Sequence, residues 1–404
     1  MISISIIIIF EVNWITNVNW ENKYLEGNEL VKVLSILNYS RENKTKVISS
    51  IIPVLIAVSF LYLINTFVKS EEDSLYKLNI FSYKYHSTIM SCNNSNIITK
   101  VKSNKNVERL VPFMLYGIKY SIPGNLDFAN VISLKTEDMN YFLEKESIQI
   151  KDGRLPQEGE KEIAINYLVA QNKKVTIGDN VGNASDKFDG INGTYKVVGI
   201  LEGDSMISIV AFNNEILKDY EDEEKSLSHG IMIFPKKNSI NEVNKLIENL
   251  PKGEAEYNTL KTLSEKFYRD IGSIEFLDAI SILSIFLMVI TVGSSKYVEF
   301  FNRKEEIGIL NVIGYEKKQI LKRAILEVTT INVISYVLGL LLGIVLSYWM
   351  KKSIFESIGA VGVVYDKKAL LVSLYVPLFT ILFTIVPING MINKLDPIDM
   401  IENN

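Results

Sequence analysis

Residues 47–68 read VISSIIPVLIAVSFLYLINTFV, a run without a single charged side chain. A helix rises 1.5 Å per residue, so about 20 mostly apolar residues cross the roughly 30 Å hydrocarbon core of a bilayer. Three later stretches meet the same requirement, at residues 274–295, 325–350 and 369–392. One such run could be a helix buried in a large soluble core. Four of them, each flanked by Lys or Arg, are too many for the rest of this chain to cover. The overall composition, 48% hydrophobic and 22% charged, would suit a soluble protein and conceals this segregation. The run Ile2–Phe10 is different: it is too short to span, and it lacks the basic start and small-residue cleavage site of a signal peptide.

Lys and Arg near the spans predict the orientation. Arg41, Lys44 and Lys46 precede the first span. Lys296, Arg303, Lys304, Lys317, Lys318, Lys322 and Arg323 lie between the second and third. Both regions are therefore expected in the cytoplasm, together with both termini. Lys351, Lys352, Lys367 and Lys368 in the last loop obey the rule less well. The expected organisation is an α-helical membrane protein with four transmembrane helices, one and then three, around a mixed α/β extracytoplasmic domain. Its segments are a cytoplasmic stretch 1–46, a first span 47–68, the outer domain 69–273, a membrane core 274–392 containing a cytoplasmic segment 296–324, and a tail 393–404.

Within the outer domain, residues 162–165 and 195–201 read as strands by apolar content and turn boundaries. Turns are predicted at Ile177–Asn180 and Asp189-Gly190. Ile240, Val243, Leu246 and Ile247 share a helical face, and Tyr257–Arg269 reads as a helix that leads to the second span. Signs of catalysis are missing from the pattern. His86 and His229 lie far apart and outside any HExxH context, and Cys92 is alone. The acidic pairs Glu71-Glu72 and Glu223-Glu224 suit a solvated surface. A net charge of -4 without a basic stripe argues against nucleic acid as a partner. No cofactor or metal is expected. Few charges lie within the spans; Asp278 near the outer end of the second is the main exception, which fits the absence of an ion pathway.

The informative stretch is Arg303-Lys304-Glu305-Glu306-Ile307-Gly308-Ile309-Leu310-Asn311-Val312-Ile313-Gly314-Tyr315. It opens with charges, turns apolar, and reaches a glycine suited to ending a helix. A second amphipathic helix, Glu316–Arg323, leads into the third span. So much apolar surface on a short helix needs cover, from the chain's own spans, from lipid headgroups, or from a groove on a partner. In the third span, Gly339 and Gly343 have the small-xxx-small spacing of close helix packing, within the chain or between two copies.

The stretch Arg303–Gly308, the following Ile313-Gly314, Gln319-Ile320 and Glu327 together resemble the signature of FtsX-like ABC permeases, a group that includes MacB-type exporters. The ending Leu395-Asp396-Pro397-Ile398-Asp399-Met400-Ile401 is similar to that family's usual ending. On its own terms Asp396 can cap a short helix and Pro397 suits its first position. The outer-domain segments Gly153-Arg154-Leu155-Pro156, Gly178-Asp179-Asn180-Val181 and Val197–Leu201 show a weaker likeness to MacB-type domains.

The resemblance implies a non-catalytic permease subunit in the cell membrane. It implies a separate ABC ATPase, a second permease chain, contact with membrane lipid and an optional extracytoplasmic partner. The Gly-Lys pair of a phosphate-binding Walker loop does not occur in this sequence, so hydrolysis must come from another chain. The implied coupling residues are Arg303, Lys304, Glu305, Glu306, Ile307, Gly308, Ile309, Leu310, Ile313 and Gly314. Closure of the ATPase dimer would push on this segment, and the first two spans would carry the motion outward. Gly339 and Gly343 lean towards dimer packing on this reading, and Asp396, Pro397 and Ile398 form the terminal motif. The rival expectation is a membrane-anchored sensor or regulator, for instance of a cell-wall hydrolase, without transport.

Overall fold

A computed structural model describes residues 44–92, 94–213, 216, 229–251, 253–270 and 272–394. Residues 1–43, Glu223-Glu224 and the motif Asp396, Pro397 and Ile398 lie outside the described residues, as does the side chain of Asp278. In chain order the elements are α1 (Lys44–Asn79), β1 (Ser87–Met90), α2 (Ser95–Lys102), β2 (Val107–Ile122), β3 (Asn125–Leu134), α3 (Thr136–Glu146), β4 (Gln149–Gly153), β5 (Glu162–Asn166), α4 (Tyr167–Lys173), β6 (Asn180–Val181), β7 (Tyr195–Glu202), β8 (Ser208–Ala211), β9 (His229–Pro235), α5 (Ile240–Glu248), β10 (Glu256–Asn258), α6 (Leu260–Asp270), α7 (Gly272–Phe301), α8 (Lys304–Val312), α9 (Lys317–Met350) and α10 (Lys367–Lys394).

Helices α1, α7, α9 and α10 are long and apolar enough to cross a membrane. The α/β domain sits between the first and second of them in sequence, so the fold class is the one the sequence predicts. The helices outrun their apolar cores. α1 continues past Val68 to Asn79, where Lys69 pairs with Glu72 at 3.1 Å and Asp73 at 2.9 Å across one helical turn. By contact the chain divides into two compact units. Among the described residues, one holds 44–60, Ser284–Leu341 and 371–394; the other holds Leu61–Leu283 and Leu342–Leu370.

In the second unit, the described strands form one mixed sheet in the order β10-β1-β9-β2-β3-β8-β5-β7-β4, with β6 added on β7. The pairs β3–β8 and β5–β7 are parallel and the others antiparallel. Strands β2 and β3 form a long hairpin in register from Met114↔Ser133 to Ile122↔Asn125. Its two-residue turn is Pro123-Gly124, with Gly124 at φ +85°, as a type II turn demands. β9 covers the edge of β2 only as far as Met114. Beyond it, other groups take the place of a strand. Gly190 N donates to Gly117 O (2.7 Å), Lys119 N donates to Asp189 Oδ1 (2.9 Å), and Asn172 both accepts from Ser121 N (2.9 Å) and donates to Ser121 O (2.6 Å).

One sheet face packs Ile118, Tyr120, Val131, Ile165 and Val197 with Leu75 and Leu78 of α1. The other packs Val111, Ile132 and Phe234 against Met139, Phe142 and Leu143 of α3. His86 is buried there; its Nδ1 lies 2.7 Å from Glu146 Oε1, and Ser205 Oγ donates to Glu146 Oε2 at 3.2 Å. The expected strands at 162–165 and 195–201 are β5 and β7, and the face of Val243 and Ile247 is buried as α5. One expectation changes: Tyr257 lies in β10, paired with Ile89, and the helix starts at Leu260. A sheet edge was there to be completed, and local apolar spacing does not register that.

Arg154 grips Glu162 with both guanidinium nitrogens, at 2.7 and 2.6 Å, while Gln157 N donates to the same carboxylate at 3.1 Å. The Arg154 hydrogen bonds, with the Gln157 amide, hold the Glu162 carboxyl below its ordinary 4.5. A lowered carboxyl stabilises the fold above its unfolded value, and that contribution is lost as pH falls through the folded value. Acid unfolding of the sheet domain is therefore expected to steepen below pH 4.5. Glu162→Gln should flatten that part of the profile, read by thermal unfolding across pH.

Candidate functional site

The segment between the second and third spans folds as the short helix α8 between two well-defined ends. Glu305 and Glu306 occupy its first turn, where the positive end of the helix dipole favours them. At its other end Tyr315 N donates to Leu310 O and Gly314 N to Asn311 O, both at 3.1 Å. That is a Schellman termination, and Gly314 supplies the required left-handed backbone at φ +107°. The next helix is opened by Glu316, whose N donates to Gln319 Oε1 at 3.1 Å, one half of a capping box. Glycine and glutamine at these positions thus set the turn from α8 into α9.

Arg303 is buried at this junction, its side chain only 8% exposed. Nη1 donates to Glu327 Oε1 of α9 at 2.7 Å; Nε and Nη2 donate to the Glu306 carboxylate at 3.0 and 3.2 Å. Arg323 Nη2 lies 3.7 Å from Glu306 Oε1. Burial opposes the charge on Arg303, but the Glu306 hydrogen bond and the fields of Glu327 and Glu306 outweigh it and raise its pKa. For Glu306, burial acts upward, while Arg303, Arg323 and Lys46 together draw the carboxyl below its usual value. Close by in sequence, Lys296 Nζ donates to Glu299 Oε2 at 3.1 Å, and Ser50 Oγ of α1 donates to the same oxygen at 2.7 Å.

These contacts divide the expected coupling residues. Ile307, Gly308 and Leu310 are buried; Ile307 and Leu310 cluster with Tyr315, Ile320, Ala324, Val328 and Ile388. Arg303 is a strut. What faces outward is Ile309, Val312 and Ile313, at 60%, 57% and 61% exposure, with Lys304, Glu305 and Gly314 beside them. Spacings of three and four put the three apolar side chains on one face of α8. Sequence reasoning placed Leu310 on the contact face; the structure places it in the core. Sequence reasoning also used Lys296 only as an orientation signal and left Glu299 and Ser50 unremarked, although an i,i+3 charge pair at the end of an apolar run is a usable signal.

Gly339 and Gly343 do not face away from the chain. A Cβ on Gly339 would come within 2.8 Å of Leu55 O and 2.9 Å of Val58 Cβ. In the other unit, one on Gly343 would lie 3.1 Å from Tyr62 Cβ. The close approach that these glycines permit is used by the chain's own α1, in place of the expected lean towards a second copy. Among the described residues, no three His, Cys, Asp or Glu side chains are grouped to hold a metal ion.

Residues 279–395 match the family model of the FtsX-like permease C-terminal domain. The chain is 25% identical over 247 residues to the "Putative hemin transport system permease protein HrtB" of Staphylococcus epidermidis, covering 61% of this chain and 63% of that one. It is 22% identical over 270 residues to an uncharacterized ABC transporter permease of Methanocaldococcus jannaschii, covering 63% of this chain and 66% of that one. The chain thus spans somewhat less than two thirds of the curated relatives it matches. Among solved structures it is similar to the periplasmic region of MacB from Actinobacillus actinomycetemcomitans, at 13% identity and a TM-score of 0.29, over 48% of this chain and 96% of that one. It is also similar to the extracellular domain of the ABC-type transporter YknZ from Gram-positive bacteria, at 12% identity and a TM-score of 0.27, over 41% and 90%. The matched stretch takes in most of α7 together with α8, α9 and α10.

Proposed function

We propose, from the FtsX-like domain at residues 279–395, that this chain is the permease subunit of an ABC transporter whose ATP is hydrolysed by a separate subunit. The exposed face of Ile309, Val312 and Ile313 is the observation that carries this reading. It docks into a groove on the ATPase in the helix-in-groove manner. Lys304, Glu305 and Gly314 rim the contact. Arg303 and Glu306 stand behind it and hold α8 to α9, so a push on α8 reaches the third span. In this reading the α8 side and both termini are cytoplasmic, the sheet domain is outside, and two permease chains assemble on a pair of ATPases. The cargo is of the peptide, lipid-linked or drug-like class, moved by export or extraction. The name of the staphylococcal relative adds hemin to the compounds worth testing. A permease that only regulates an extracytoplasmic partner would use the same motor contact.

The test is co-purification with candidate ATPases in mild detergent. Burying an Ile side chain contributes about 1.5–3 kcal/mol, so a charge in its place should weaken binding by roughly a hundredfold. Ile309→Asp and Ile313→Asp are expected to lose the ATPase while the permease remains folded. Binding that is indifferent to both substitutions would sink the docking assignment and favour the anchored sensor.

A further inference from the structure

The connection between the third and fourth spans is built into the outer domain from two sides. α9 ends at Met350 and passes through a π-helical turn, Lys351–Phe355, and a 3₁₀ turn, Glu356–Ile358. Residues 360–363 then run without helix or strand before α10 begins at Lys367. Backbone groups of such a segment need partners where water is scarce.

On one side the partners come from α1. Tyr62, Thr66, Ser70 and Ser74 recur every four residues and so share one helix face. Tyr62 Oη donates to Val364 O at 2.9 Å. Val363 N donates to Ser70 Oγ at 2.9 Å, and Val361 N to Ser74 Oγ at 3.0 Å. Thr66 Oγ1 and Ser347 Oγ lie 2.8 Å apart. All four α1 residues are fully buried. On the other side the partners come from the sheet and α4. Tyr120 Oη donates to Gly359 O at 2.7 Å, and Asn172 Nδ2 to Ile358 O and Gln171 Nε2 to Glu356 O, both at 2.6 Å. Gly359 sits at φ +70°, and a Cβ there would collide with Leu168 O. Phe355 is fully buried in the sheet's core, edge-on to Phe67 with ring centroids 5.4 Å apart.

We infer that residues 355–364 are a strap that transmits displacement of the third and fourth spans to the sheet, through Tyr120, Gln171 and Asn172 on one side and the hydroxyl row of α1 on the other. This rests on the permease reading above. It adds a second route to the one through the first two spans, and it assigns roles to Ser70, Ser74 and Tyr120. Asn172 is the hinge point, because the same amide that holds Ile358 also closes the edge of β2 at Ser121. A pull on the strap is therefore felt directly by the long hairpin.

Amide hydrogen exchange on the full chain in lipid nanodiscs reads the strap itself. Val361 and Val363 amides are expected to exchange at least tenfold more slowly than free amides, and Ser70→Ala should release Val363. Free exchange at both positions in the unmodified chain overturns the inference. The transmitting role is read in the complex with the ATPase, by the change in exchange of the Ser121 amide when a non-hydrolysable ATP analogue binds. That change should vanish in the Ser70→Ala/Ser74→Ala double variant and in Tyr120→Phe, with ATPase binding and β5 protection retained. A Ser121 response that survives in both variants overturns the strap and leaves the permease reading standing. No nucleotide response in the unmodified chain overturns the permease reading, and the transmitting role falls with it.

Discussion

Arg303→Ala should destabilise the membrane unit by about 3–5 kcal/mol, because it leaves Glu327 buried at 3% exposure without its cation. The large cost arises from the orphaned charge, which has lost water and gained nothing. It does not mean that the pair as a whole contributes that much. Replacing both partners with apolar side chains, Arg303→Met with Glu327→Leu, should therefore recover most of the loss. Arg303→Lys keeps the charge but gives up the planar fork that reaches Glu306 and Glu327 together, and should fall between. Thermal unfolding in detergent checks the order. If Arg303→Ala melts like the unmodified chain, the pair is solvated and the strut is wrong. The order has a second use. Arg303→Ala will lose any partner by unfolding, so it cannot report on docking, and the same holds for Leu310→Asp in the core cluster. Ile309 and Ile313 are the positions where binding and folding separate.

Gly199→Val is the second large effect. Gly199 in β7 faces Gly153 in β4, and each lacks a Cβ because the other's strand comes too close. A Cβ at Gly199 would run into the carbonyl oxygen of Arg154, and one at Gly153 into that of Val198. Both obstacles are main-chain atoms, and Arg154 N is itself tied to Val198 O at 3.0 Å. Relief by a side-chain rotation is not available, so β4 must move off β7. Overpacking ordinarily costs about 1–3 kcal/mol, and rigid backbone puts this case at or above the upper end. Loss of amide protection across β4 and the Arg154–Glu162 clasp, with β2 and β3 intact, is the expected signature. Unchanged protection in β4 would show that the strands have slack.

The glycines in Gly153-Arg154-Leu155-Pro156 and Val197–Leu201 thus have a physical reason that sequence likeness alone did not supply. Other parts of the fold were readable at once. Four spans follow from four apolar runs, and β5 and β7 from short apolar stretches between turns. The extension of α1 to Asn79 was hidden, because hydropathy sees Lys69, Glu72 and Asp73 as an ending while the helix uses them as paired neighbours. Arg303 was readable as part of a motif and misleading as a charge, since its partner Glu327 is far along the chain and only the turn at Gly314 brings them together. The hydroxyl row of α1 gives no signal in hydropathy, and Ser70 and Ser74 lie past the apolar run. Its spacing of four was visible, but the segment that it serves lies almost three hundred residues later.

The two flanks of the β2–β3 hairpin bear on how such a domain behaves in a crowd. Bare strand edges invite a neighbour's strand, and long ones seed aggregation. Here Asp189, Asn172 and Gly190 occupy one flank. On the other, Asn130 Nδ2 donates to Leu78 O at 3.1 Å and Asn79 Nδ2 to Asp127 Oδ2 at 3.1 Å. The β2 flank has its main-chain groups taken by side chains and a loop amide, so it offers no template along that stretch, while β3 is held only through its side chains. Copies packed densely in one membrane can then meet along their β2 flanks without fusing into a shared sheet.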